Sequence, residues 1–149
     1  MIDFEQKPEY IKWLGEQLDC DYSVGDFHTL ANLDSKGNIL CVVLYSHWLE
    51  SGCEMVISSS SPRWATKEFM FAAFAYPFIQ MKKRRVTFIV EDNNLKSLKL
   101  CHKLGATVEG KVRQWFGKND GVVFGLLKDE CKYIRETARQ PFSSRRIEA

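Results

Sequence analysis

The chain has little of what marks several common functional classes. Its 149 residues include only His28, His47 and His102, and the five cysteines (Cys20, Cys41, Cys53, Cys101, Cys131) form no C-x-x-C pair. Structural zinc wants paired ligand spacings, so no metal site is expected. Scattered single cysteines read as small buried hydrophobes in a reducing compartment, not as a disulfide framework. No apolar run reaches the ~20 residues of a membrane span. The opening M-I-D-F-E-Q-K-P-E-Y is too polar and acidic for a secretory leader, so a cytoplasmic address is expected. Net charge is also small: 21 basic against 19 acidic residues leave +2, too little to argue for nucleic acid. The basic runs Lys82–Arg85 and Arg145–Arg146 read as solvated surface. No repeat and no Gly/Pro-rich linker divides the chain, which points to one domain over residues 1–134. The basic stretch 135–149 has little periodicity and is expected to fray.

A hydrophobic fraction of 45% with 27% charge is ordinary for a globular domain with a sizeable core. Pro8 to Leu18 has helical periodicity, with Tyr10, Ile11, Leu14 and Leu18 on one face and Pro8 in the first turn. Phe27 to Leu33 alternates like a strand, and D-S-K-G-N forms a turn before Ile39. Ile39 to Tyr45 is continuously apolar, as in a strand buried on both faces. Cys53–Ser58 follows as another strand, and four serines and Pro62 then break the pattern. Lys67 to Met81 is apolar nearly all round, a helix pressed between sheet and neighbour, which Pro77 should kink or end. Arg85 to Val90 is a strand. Ala106 to Phe116, G-K-N-D-G and Val122 to Leu127 read as a closing hairpin.

The most specific segment runs from Asn94 to Gly110, N-L-K-S-L-K-L-C-H-K-L-G-A-T-V-E-G. Leu95, Leu98, Cys101 and Leu104 give one apolar helical face; Asp92 or Asn93 is placed to cap the start, and Gly105 to end the helix. The spacing N-x-x-S, K-L-G, E-G resembles the last conserved segment of the GNAT superfamily of acyl-CoA N-acyltransferases. The likeness runs without a gap from about Ser61 to Gly110 and more loosely through F-G-L-L-K-D-E-C. It is similar to the ribosomal-protein N-terminal acetyltransferase branch and, through P-R-W-x-T, to small phage-encoded members. It implies an α/β GNAT fold: a mixed twisted sheet with helices on both faces, and a splayed strand pair that forms the acetyl-CoA cleft.

The resemblance also implies an assignment of residues. The phosphate loop of the family aligns with Ser61-Pro62-Arg63-Trp64-Ala65-Thr66, where Ser61 replaces a Gln or Arg and Trp64 replaces a glycine. Arg63, Lys67 and the Thr66 hydroxyl would then meet the phosphates at a helix N-terminus. Read alone, the same loop is equally a helix entrance with Trp64 as a hydrophobic plug. Met55, Val56 and Ile57 would offer main-chain groups to the pantetheine arm, which Asn94 and Ser97 would line. Glu54 is the first candidate base and Glu91 the second. The family's usual tyrosine acid falls at Cys101, so Ser97 is left to contact the departing sulfur. The implied activity is acetyl transfer from acetyl-CoA to an amine (protein N-terminus, lysine or small molecule) by direct attack on the thioester, without membrane or nucleic-acid partner. A homodimer is compatible with it. Two alternatives stay open: a degenerate GNAT-fold protein that binds coenzyme A without turnover, and a toxin that acetylates aminoacyl-tRNA. Trp48, Trp115 and Phe116 either line an acceptor pocket or pack.

Overall fold

The apolar run Ile39–Ser46 forms the central strand, and its alternation assigns the two faces of the sheet. In the computed structural model, which describes residues 1–22 and 25–134, Val42 and Leu44 point to one face while Cys41, Val43 and Tyr45 point to the other. All five are fully buried. A strand covered on both sides carries no polar alternation, which is why the sequence there is uninterrupted.

The strands are β1 (Ile2–Asp3), β2 (His28–Leu33), β3 (Ile39–Ser46), β4 (Gly52–Ser59), β5 (Arg85–Glu91), β6 (Thr107–Phe116) and β7 (Asn119–Leu127). They form one mixed sheet in the order β1-β2-β3-β4-β5-β7-β6. Neighbours are antiparallel except β4 and β5, which run parallel. β1 is too short to leave a periodic signal. The last hairpin turns more tightly than the sequence suggests, since Phe116 already pairs with Asn119. The turn lies at Gly117 (φ 76°) and Lys118, not over all of G-K-N-D-G.

Helix α1 (Pro8–Leu18) lays Tyr10 and Leu14 on Ala31, Leu33, Val42, Leu44 and Val56. Helices α2 (Lys67–Ala75) and α3 (Leu95–Leu104) cover the opposite face, where Phe69, Phe74, Phe78, Leu104 and Phe124 form the larger core with Tyr45, Met55, Val86 and Phe88. The α2 periodicity does continue past Ala75, but Pro77 has no N–H to give. The chain widens there into a π-helical turn, Tyr76–Gln80, closed by Met81 N–H to the Tyr76 carbonyl at 2.9 Å.

The start of α3 corrects the capping assignment. Neither Asp92 nor Asn93 caps it; Asn94 does, accepting the Ser97 N–H on its side-chain Oδ1 at 3.2 Å. Gly105 ends the helix in the left-handed region (φ 90°), as expected, and its N–H reaches the His102 carbonyl. The stretch 135–149 lies outside the described residues, so its expected fraying is not addressed by the structure.

Candidate active site

β4 and β5 meet at only three rungs: Gly52 opposite Arg85, Cys53 opposite Val86, and Glu54 opposite Thr87. Gly52 permits the approach, because a Cβ there would lie 2.4 Å from the Arg85 carbonyl oxygen. Beyond Glu54 the strands part. β4 stays paired to β3 as far as Ser59 opposite Cys41, and β5 stays paired to β7 over its whole length. The β5-side edge of Met55–Ser59 therefore has no strand to pair with, and apart from the Ser59 carbonyl, which Lys96 holds, its backbone groups are available to a ligand.

A cleft of about 710 Å³ opens at this parting. One wall is β4 (Ile57, Ser58, Ser59), and another is the first three turns of α3 (Asn94, Lys96, Ser97, Lys99, Leu100, Lys103). Trp64 and the end of α1 (Gln17, Leu18) close it. Lys96 spans the walls, its Nζ donating to the Ser59 carbonyl at 3.1 Å.

Of the residues assigned from sequence, Ile57, Trp64, Asn94 and Ser97 line this cleft together. Met55 and Val56 are its neighbours on β4, but their side chains serve the two cores on opposite faces. The loop Ser61–Lys67 divides its members. Trp64 is buried, its ring edge-on to Phe69 (centroids 6.0 Å) and its carbonyl bonded by the Asn32 side-chain N–H at 2.8 Å. Ser61 accepts the Arg63 N–H, and Thr66 caps α2 by accepting the Phe69 N–H at 3.2 Å. Arg63 and Thr66 line a different depression, shared with Asn32 of β2 and with Asp34 and Asn38 of the β2–β3 turn. Ala65 and Lys67 are exposed. The plug role of Trp64 and a wall of the cleft are thus the same residue.

Glu54 stands on the last rung before the strands separate, on the α1 face with Val56. Its side chain is 19% exposed, and Oε2 lies 3.1 Å from His47 Nδ1. Burial raises its carboxyl above the ordinary value, and the nearby imidazole opposes that rise. Glu91, at the far end of β5, instead accepts from the Asn119 side-chain amide at 3.0 Å. Cys101 is 2% exposed in the core beneath α3, and burial pushes its thiol up to about 12. A thiol so held is neither a nucleophile nor a useful acid near neutral pH.

Among the aromatic candidates, Trp48 packs. It stacks on Tyr45 (6.3 Å) and sits edge-on to Tyr76 (5.6 Å), with its buried indole N–H meeting no acceptor among the described residues. Trp115 and Phe116 are exposed on the outer strand β6.

Two sets of site residues escaped the sequence reading. Lys96, Lys99 and Lys103 form one stripe on α3, but lysines at such spacing are ordinary on any solvated helix face. His47 gave no signal, since its partner Glu54 is joined to it only by the β3–β4 pairing.

No family model matches the chain, and no curated protein matches it in sequence. Solved structures do match in shape. A point variant of the spermidine N-acetyltransferase SpeG from Vibrio cholerae superposes with TM-score 0.60 at 16% identity, covering 89% of this chain and 80% of that one. A GNAT-family acetyltransferase from Bacillus anthracis gives 0.57 at 17%, covering 68% and 67%. A protein assigned as an acetyltransferase gives 0.61 at 24% over 70% of this chain, which spans only 60% of that protein's length. Identities this low speak to architecture, and the architecture is clear: the chain has the fold of the GNAT acetyltransferases.

Proposed function

We propose that this protein is an acetyl-CoA-dependent N-acetyltransferase acting on an amine by direct attack. The observation that carries the reading is the parting of β4 and β5 after Glu54, with a cleft of about 710 Å³ lined by lysines on one side and an open strand edge on the other. The two walls suit the two halves of the co-substrate. Three ammonium groups complement phosphates, while the free backbone of Met55–Ser59 can pair with the amides of a pantetheine arm. Asn94 and Ser97, at the start of α3, border the same space. The Trp64 backbone is a poor phosphate cradle, since its N–H is already given to the Ser61 carbonyl at 3.3 Å and its ring fills the core.

Acyl transfer needs a neutral amine. The nitrogen attacks the thioester carbonyl, the new C–N bond forms, the C–S bond breaks, and the sulfur leaves as thiolate. The amine proton must go to a base. Glu54 is the carboxylate nearest the parting strands, and its raised affinity for protons suits that task. The demand depends on the acceptor: a free lysine side chain is neutral at pH 7 at a cost of about 4.6 kcal/mol, an α-amino group at roughly 1–1.4 kcal/mol. A thiol of ordinary pKa, ~8.5, is a fair leaving group unaided. The buried Cys101 therefore leaves catalysis without its usual acid and not without a route.

The missing acid also favours a second reading, a GNAT-fold protein that binds coenzyme A without turning it over. Calorimetry with coenzyme A tests what the two share. Mass spectrometry after incubation with acetyl-CoA, spermidine and a short peptide with a free N-terminus separates them. Binding with an acetylated product supports the transferase; binding with none, there and in cell extract, supports the second reading. No binding at millimolar coenzyme A overturns both.

A further inference from the structure

We propose that His47 is a positioning residue for Glu54: its imidazole grips one carboxylate oxygen and leaves the other turned to the acceptor amine. The inference rests on the reading of Glu54 as the base.

The local backbone is the first observation. His47 immediately follows β3, whose last residue, Ser46, pairs with Glu54 across the sheet. His47 adopts φ 51°, the left-handed region that a residue with a Cβ enters at a cost. Such conformations persist where the surroundings over-determine them. Here they bring Nδ1 to 3.1 Å from Glu54 Oε2 and 3.0 Å from Ser46 Oγ.

The donor and acceptor inventory then constrains the pair. An imidazole nitrogen carries either one hydrogen or one lone pair. With the hydrogen on Nδ1, it donates to the Glu54 carboxylate, the stronger acceptor, and the Ser46 oxygen beside it shares that hydrogen as a second, weaker acceptor. With a lone pair on Nδ1, it would face the lone pairs of an ionised carboxylate. The ring thus binds Oε2 as a donor, whether neutral or charged, and Oε1 is left over. The His47 side chain is 71% exposed, so its far nitrogen is in reach of water.

The other ionisable groups around Glu54 do not take this place. Tyr22, from the segment after α1, interacts with Glu54 but is itself held neutral by burial. Cys53, its neighbour on β4, has its thiol pushed up to about 12 by burial. Lys83, which acts on Cys53, donates to the Glu50 carbonyl. On β5, Thr87 stands opposite, and its hydroxyl takes a hydrogen bond from Arg85. That guanidinium is paired with Glu109 at 2.6 Å. Among the described residues, His47 is the cation-capable group in contact with the carboxylate.

The test is an NMR titration of the Glu54 carboxyl in the full-length carbon-13-labelled protein, with Glu54→Gln to assign the resonance; it needs no acceptor. His47→Ala should move the Glu54 midpoint upward by about half a unit, a roughly threefold change in ionisation. His47→Asn tolerates the left-handed backbone and keeps an N–H donor without the charge. It should restore kcat at pH 8 for whichever probe amine, spermidine or the peptide, is acetylated, while leaving the midpoint raised. KM for acetyl-CoA should not change in either variant. A Glu54 midpoint that stays put in both variants overturns the inference. A Glu54→Gln protein that acetylates at the full rate overturns the base reading instead, and the two failures are distinguishable.

Discussion

Asn94 and Glu54 show how much of a side chain's task depends on its immediate hydrogen bonds. Asn94 borders the cleft, yet its Oδ1 is engaged with the Ser97 N–H as the helix cap. Replacing it with Ala should cost about 1 kcal/mol of stability in urea unfolding and should also weaken coenzyme A in calorimetry. Asn94→Ser keeps a capping oxygen, so it should recover the stability; any affinity still missing belongs to the cleft contact. Full recovery of both would make Asn94 structural only. Glu54 carries a different signature. Its carboxyl is raised in the folded state, so the stabilisation linked to its proton is present below the ordinary carboxylate value. That stabilisation is lost as pH rises through the folded value, and at neutral pH the ionised group is a burden. Glu54→Gln should therefore raise the midpoint temperature at pH 7–8, and the gain should vanish near pH 4, while acetylation falls near neutrality and partly recovers in alkali. A loss of thermal stability at pH 7–8 would mean that the bond to His47 outweighs burial. Neither side chain's partner is legible from spacing alone: the cap could as well have been Asp92 or Asn93, and His47 is seven residues from Glu54 with a strand turn between.

Among the elements, α3 was the easiest to read and the most incompletely understood. Its apolar stripe and its terminating Gly105 follow from periodicity and backbone sterics, both local properties. What its exposed side faces is not local. Lys96, Lys99 and Lys103 line the cleft only because β4 and β5 separate beside them. The Ser61–Lys67 loop underwent the reverse: its basic residues looked placed for phosphates, but Arg63 faces the β2–β3 turn and its Asp34. The paired substitution Lys99→Ala/Lys103→Ala should therefore weaken coenzyme A about tenfold or more, leave pantetheine nearly unaffected, and flatten the salt dependence of binding. Arg63→Ala should do less. If Arg63→Ala costs more affinity than the lysine pair, the phosphates sit on the loop after all.

On the scale of the whole molecule, the sheet is one continuous structure whose two parallel strands part after three rungs. Full pairing on the β3 and β7 sides fixes β4 and β5 from outside, so the gap can stay open while the fold remains intact. Amide exchange should report this. Within Met55–Ser59, the amides not bonded to β3 should exchange much faster than those that are, and saturating coenzyme A should slow them. Uniform protection without ligand would mean that the gap closes in solution. The sequence by itself determined the order of the elements from α1 onward, the doubly buried β3, the apolar α2 interrupted at Pro77, and the end of α3 at Gly105. These rest on periodicity, proline's missing donor and glycine's backbone freedom, which act within a few residues. Only the tertiary structure decided where the strands part, which cations line the opening, and that His47 meets Glu54. The parting and its lysine wall depend on packing between segments far apart in the chain, and the His47–Glu54 contact on the pairing register of the β3–β4 hairpin, neither of which the periodicity of one segment encodes.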